Sequence, residues 1–113
     1  MRPMADLTIP ESQKLVDQWI SQFEAGYWPP LSMLAAMMEE VGELAKEINS
    51  LECHKPKKTD DGDINIVMEL GDILFALICL ANYYDIGLED ALRKVMAKYD
   101  MRDRERWERI IKR

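Results

Sequence analysis

The stretch that decides the fold is MELGDILFALICLA, residues 68–81. From Ile73 to Ala81 it is apolar without a break, and the pattern around it predicts a helix from about Ile64 to Tyr84, with Asp63 placed to cap it. A helix with no wet face is buried on all sides. A chain of 113 residues has difficulty covering one alone, so subunits are expected to pack against it. Two acids nevertheless open the run. Glu69 and Asp72 stand at i, i+3 and share a face. A carboxylate beside an apolar core is costly unless it is paired, so this pair calls for a partner.

The partner is found upstream in MMEEVGELAKE, residues 37–47, where Glu39, Glu40, Glu43 and Glu47 fall within nine residues. A second helix is predicted from about Leu31 to Leu51, with Leu34, Met38, Val41, Ala45 and Ile48 as its core stripe. At about 100° per residue Glu40, Glu43 and Glu47 gather on a different face, with Glu39 on its flank. If the two helices pack antiparallel, Glu40, Glu43, Glu69 and Asp72 can converge. Unrelieved, such a cluster would repel itself and keep some members protonated. A hard divalent cation relieves it, and oxygen-only ligands suit Mg²⁺ or Mn²⁺ better than Ca²⁺. Taken alone, EEVGELAKE reads first as a solvated face softened by Lys46, and Glu47 reads as solvated in either case; the acids of the apolar helix are what favour a metal site. A di-iron bundle would need Glu-x-x-His pairs, and the single histidine, His54, lies in a loop. Zinc is disfavoured because Cys53 and His54 lack two further ligands at suitable spacing. No EF-hand loop is present.

The rest of the chain is helical in pattern. Thr8 with Glu11 forms a capping box, Pro10 fits the first turn, and Leu15, Val16, Trp19, Ile20 and Phe23 make a stripe that ends by Gly26 and Pro29-Pro30. Residues 52–63, ECHKPKKTDDGD, form a polar loop with Lys55, Lys57 and Lys58. A fourth helix runs from about Leu88 to Lys98 or beyond, and the charged tail extends it or forms a fifth. The expected fold is an all-α bundle of four to five helices in a single domain, residues 1–113. The net charge of −6 argues against a duplex nucleic-acid binder and against an anionic lipid surface. Two cysteines make no disulfide framework, and Cys79 reads as a core residue. The N-terminal residues lack a signal-peptide apolar region, and the run at 73–81 is too short to span a bilayer. A reduced, cytoplasmic protein is expected.

Glu39-Glu40-Val41-Gly42-Glu43, a spacer, and Glu69-Leu70-Gly71-Asp72 together form an EExxE…ExxD arrangement. It resembles the all-α nucleoside triphosphate pyrophosphohydrolases of the MazG type, over about Tyr27 to Trp107. The resemblance implies Mg²⁺-dependent cleavage of a (d)NTP between its α and β phosphates, giving (d)NMP and pyrophosphate, with nucleotide-pool house-cleaning as a role. It implies that Glu40, Glu43, Glu69 and Asp72 bind the metal, and that Glu39 either binds a further ion or orients the attacking water. Lys98 and Arg102, around Tyr99, look like the family's phosphate-binding K-aromatic-x-x-R element, although Asp103 stands where an aromatic is usual. It also implies a dimer or dimer of dimers, and a homotetramer is the expectation.

Lys94, Lys98 and Arg102 recur every four residues and would share a helix face turned either to phosphate or to solvent. Asn82 either faces the site or makes a buried helix contact, and Trp28 either stacks on the nucleobase or packs in the core. Trp19 reads as core and Trp107 as a subunit contact. The competing reading is a non-catalytic helical module that binds nucleotide or assembles without turnover.

Overall fold

The computed structural model describes residues 6–52, 62–104 and 106. Among them are four helices and no strand: α1 Ile9–Ile20, α2 Pro30–Leu51, α3 Gly62–Tyr83 and α4 Leu88–Asp103. The all-α expectation is met. The polar loop with Cys53, His54 and its lysines, and Trp107 with the expected fifth helix, fall outside the described residues.

α1 starts where its capping box requires. Thr8 Oγ1 accepts from the Glu11 amide at 3.2 Å, and the Thr8 amide donates to Glu11 Oε1 at 3.0 Å. The Thr8 backbone bond, then its side chain, holds the Glu11 carboxyl below its ordinary range. The helix stops at Ile20, so Phe23 of the predicted stripe lies in the turn beyond it. That turn closes at Gly26, whose φ of 64° is the left-handed conformation that glycine adopts freely. α2 then begins on Pro30, where a missing N–H leaves no bond unmade.

α2 and α3 form the main helix pair of the chain. α2 turns Met33, Ala36, Met37, Glu40, Leu44 and Glu47 inward; these are its more buried residues, with Met33 only 6% exposed. The stripe Leu34, Met38, Val41 and Ile48, predicted as core, faces outward instead. Helical spacing identifies an apolar stripe but not the surface that covers it. On α3, Ile78, Cys79 and Ala81 complete the small core, while Leu70, Leu74, Phe75 and Leu77 stay exposed. Asp63 sits inside the first turn of α3, one residue after its start, and is not its N-cap. The continuous helix also exceeds the apolar run seen in sequence: Asn65–Tyr83 is long and apolar enough, by length and composition, to cross a membrane. Its two acids turn towards α2, which is how a bundle helix packs.

Gln13 ties α1 to the other end of the bundle. Its side-chain amide donates to Asn82 Oδ1 and to the Ile86 carbonyl, each at 2.9 Å. Gln13 Oε1 accepts from the Leu88 amide at 2.8 Å, serving the N-terminus of α4, where Gly87 offers no side-chain cap. Substituting Thr8→Ala removes the side-chain half of the capping box. The expected loss is about 1 kcal/mol, read as a lower urea or thermal unfolding midpoint with divalent-cation binding unchanged.

Candidate metal centre and adjoining pocket

At the middle of the α2–α3 seam, Glu40, Glu69 and Asp72 each present a carboxylate oxygen, all within 4.8 Å of one another. Glu40 and Glu69 are half-buried, whereas Asp72 is exposed. Glu69 Oε2 is buried without a hydrogen-bond partner. Desolvation first, then the charges of Asp72 and Glu69, push the Glu40 carboxyl above its ordinary range. A protonated Glu40 can also hydrogen-bond to those two neighbours. These features fit a hard cation: three oxygen donors converge, one buried oxygen lacks a partner, and the charges of the three acids oppose one another. The cluster is a candidate metal-binding site.

The structure gathers three of the four expected metal ligands. The fourth, Glu43, lies on the flank of the same α2 face, its side chain 53% exposed, 3.9 Å from Lys46. An exposed i, i+3 pair of this kind holds a side chain weakly. Glu39 is exposed at the edge of the group. Glu47, read as solvated, is instead half-buried and accepts from Asn65 Nδ2 at 3.3 Å. The α2–α3 packing that brings Glu40 inward turns Glu47 the same way, two turns on.

A pocket of about 540 Å³ opens directly beside the acids. Glu40 and Asp72 form part of its lining, and Trp19, Phe23, Tyr27, Trp28 and Phe75 make its aromatic walls. Trp28 is 59% exposed and lines this pocket rather than a core. Trp19, expected in the core, is 46% exposed and also stands on the pocket wall. It meets Phe23 and Phe75 edge to face at 5.0 and 6.0 Å between ring centres. In the sequence Phe23 reads only as the end of the α1 stripe and Phe75 only as part of the apolar run, and core packing explains both equally well.

Asn82 has its polar groups engaged away from the acids. Its Oδ1 accepts from Gln13, and its Nδ2 donates to the Gln13 carbonyl and to Tyr27 Oη, both at 3.0 Å. No cation of α4 lines this pocket. Leu88, Ala91, Leu92 and Val95 of α4 line an apolar groove with Leu74, Leu77 and Ile78. By helical rotation those α3 residues lie on the side opposite Asp72. Lys94 is exposed on α4. Lys98 and Arg102 stack on Tyr99 at 5.0 and 4.7 Å from its ring centre. Asp103 binds Arg102 through two bonds, of 3.0 and 2.9 Å, and raises its pKa.

Comparison with known proteins agrees with this geometry. The model of the MazG nucleotide pyrophosphohydrolase domain matches residues 29–107. The chain is 48% identical over 106 residues to Bacillus subtilis YpjD, a protein without an assigned function, covering 94% of this chain and 96% of that one. Among solved structures it is similar to B. subtilis YpjD, there provisionally named a pyrophosphatase. That match has a TM-score of 0.79 and 47% identity and covers 86% of this chain and 99% of the other. It is also similar to a Bacillus-conserved MazG protein described as a nucleotide pyrophosphohydrolase, with a TM-score of 0.73 and 44% identity, over 91% of this chain and 100% of that one. The chain belongs to the MazG nucleotide pyrophosphohydrolase family and is a hydrolase of that class.

The acid cluster has a pH signature. Folded Glu40 holds its proton more tightly than it would in the unfolded chain. The metal-free protein therefore gains stability as pH falls from neutrality towards the ordinary glutamate range, and loses it as pH rises through the folded Glu40 pKa. Melting curves between pH 7 and pH 5 (approximately the window just above an ordinary glutamate) should show this rise without divalent cation. With saturating cation the order should reverse. Glu69→Gln supplies an amide donor to the acids, so it is expected to raise the metal-free melting temperature and to abolish the cation-induced shift.

Proposed function

We propose that the protein hydrolyses (d)NTPs between the α and β phosphates to (d)NMP and pyrophosphate, with Mg²⁺ as its ion and Mn²⁺ able to replace it. One observation carries this reading: an aromatic pocket whose lining includes Glu40 and Asp72, two members of the acid cluster. A nucleobase placed against Trp28 and Trp19 would send its phosphates towards the carboxylates. Phosphate and carboxylate repel, so the two can meet only around a cation. Glu40, Glu69 and Asp72 would hold it, with Glu43 turning in from its weak pairing with Lys46. When bound, the ion offsets phosphate charge and makes water a better nucleophile at neutral pH. Glu39, at the edge of the group, orients the attacking water or binds a further ion.

Lys98 and Arg102, with Lys94, bind the phosphates in this reading. No α4 cation lines the pocket, and Leu88, Ala91, Leu92 and Val95 of α4 line a groove on the opposite side of α3, so in this reading a neighbouring protomer brings its cations to the phosphates. Exposed apolar side chains support such an assembly: Leu34, Met38 and Val41 of α2 and Leu70 of α3 are exposed in one chain. We read the whole chain as one catalytic domain that forms a cytoplasmic homotetramer and clears nucleotides from the pool. Light scattering coupled to gel filtration should report four chains.

The decisive test is a panel of NTPs and dNTPs with Mg²⁺ or Mn²⁺, assayed for pyrophosphate. Release of orthophosphate alone, or of nothing from any substrate, sinks the reading; nucleotide-dependent thermal shifts without product would favour a non-catalytic binding module. Glu40→Gln and Glu43→Gln should each cost more than the roughly 10–100-fold typical of groups one shell out from a metal. Full activity in a folded Glu43→Gln would remove Glu43 from the ligand set.

A further inference from the structure

The segment joining α1 to α2 carries Tyr27 and Trp28 of the pocket wall, and Tyr27 ties it to two helices. Tyr27 Oη donates to Asp17 Oδ1 on α1 at 2.7 Å and accepts from Asn82 Nδ2 on α3 at 3.0 Å. Asn82 is itself fixed by Gln13, through bonds of 2.9 and 3.0 Å. On α3, Phe75, Cys79 and Asn82 follow at i, i+4 and i+7, so the tie is made on the pocket side of that helix. Gly26, with its positive φ, stands just before Tyr27, and the stiff Pro29-Pro30 pair just after Trp28. Between a permissive residue and a rigid one, the Tyr27 phenol ties the segment to both α1 and α3.

We infer that Tyr27 is a positioning residue whose hydroxyl latches residues 26–28 to α1 and α3 and so sets the spacing between the Trp28 wall and the acids beside it. Its hydroxyl is already engaged by Asp17 and Asn82, so it works through Trp28 rather than on the substrate. Desolvation, followed by the bond to Asp17, pushes its phenol pKa up to about 12, so the hydroxyl keeps its proton throughout the working range. The latch rests on the pocket's proposed role as the nucleobase site and adds the device that holds it open at a fixed width.

Tyr27→Phe keeps the ring and deletes the latch. With the best substrate of the panel, KM is expected to rise by about tenfold, the upper range for one net hydrogen bond, while kcat stays within about threefold. Mn²⁺ affinity, followed by electron paramagnetic resonance, should not change. Asp17→Ala removes one arm at an exposed site and should raise KM less. The double variant should be no worse than Tyr27→Phe alone, because the two act through one bond. An unchanged KM in folded Tyr27→Phe, a joint fall of kcat and Mn²⁺ affinity, or additive effects in the double variant would overturn the latch. If Tyr27→Phe melts below the assay temperature, Asp17→Ala decides alone: a raised KM supports the latch and an unchanged one rejects it. If the wild type turns over no nucleotide, the activity reading has failed, and the latch is read from acrylamide quenching of tryptophan fluorescence. Greater quenching in Tyr27→Phe that disappears in a Trp28→Phe background supports it; unchanged quenching rejects it.

Discussion

Two helices that meet along their length must put something at the seam, and here α2 and α3 put carboxylates there. Glu40, Glu69 and Asp72 offer oxygens within 4.8 Å of one another, and one Glu69 oxygen is buried without a partner. Apolar burial favours the bundle: Met33, Ile78, Cys79 and Ala81 are the buried apolar residues among those described, and Met33 and Cys79 stand beside the acids in the pocket wall. Desolvation and then charge repulsion oppose it at the acids, and both push the Glu40 carboxyl above its ordinary range. Only a proton or a cation satisfies both demands at once. The neighbouring parts of the fold are arranged so that the acids stay together and remain open on one side.

That open side is shaped by α1 and by the segment after it. Trp19 and Phe23 stand across from Phe75, and the edge-to-face contacts among them make a wall that needs no polar partner. Gln13 and Asn82 join α1, α3 and the start of α4 through side-chain hydrogen bonds, and Tyr27 extends the same network to the pocket. Polar side chains therefore govern placement at one end of the bundle, while carboxylates govern chemistry at its middle. α3 serves both, with Asp72 and Asn82 nearly three turns apart along it.

Much of this was legible in the sequence. The helix-forming pattern around MELGDILFALICLA, the Thr8–Glu11 capping box and the acids at i, i+3 on both helices are local features, and local features survive folding. The convergence of Glu40 with Glu69 and Asp72 followed from the cost of placing acids in an apolar helix. Other assignments depended on a neighbour that periodicity cannot name. Leu34, Met38, Val41 and Ile48 form a regular stripe, yet α3 packs on the adjacent face, which carries Met33 and Glu40. Glu47 looked solvated because its partner, Asn65, is supplied by a different helix. Trp19 looked like core because a tryptophan at stripe spacing is the same in sequence whether it meets a core or a pocket.

The sequence by itself determined the helices, their acidic motifs and the family to which those motifs point, because each follows from residues a few positions apart. The tertiary structure decided which face of α2 meets α3, which acids are close enough to share one ion, and that four aromatics with a tyrosine enclose a pocket beside them. It also decided that α4 lines a groove on the side of α3 opposite Asp72 and puts none of its cations in the pocket wall. These are matters of helix rotation and packing partner. A helix rotated by one residue, about 100°, presents a different set of side chains, and only contact between distant segments selects among them.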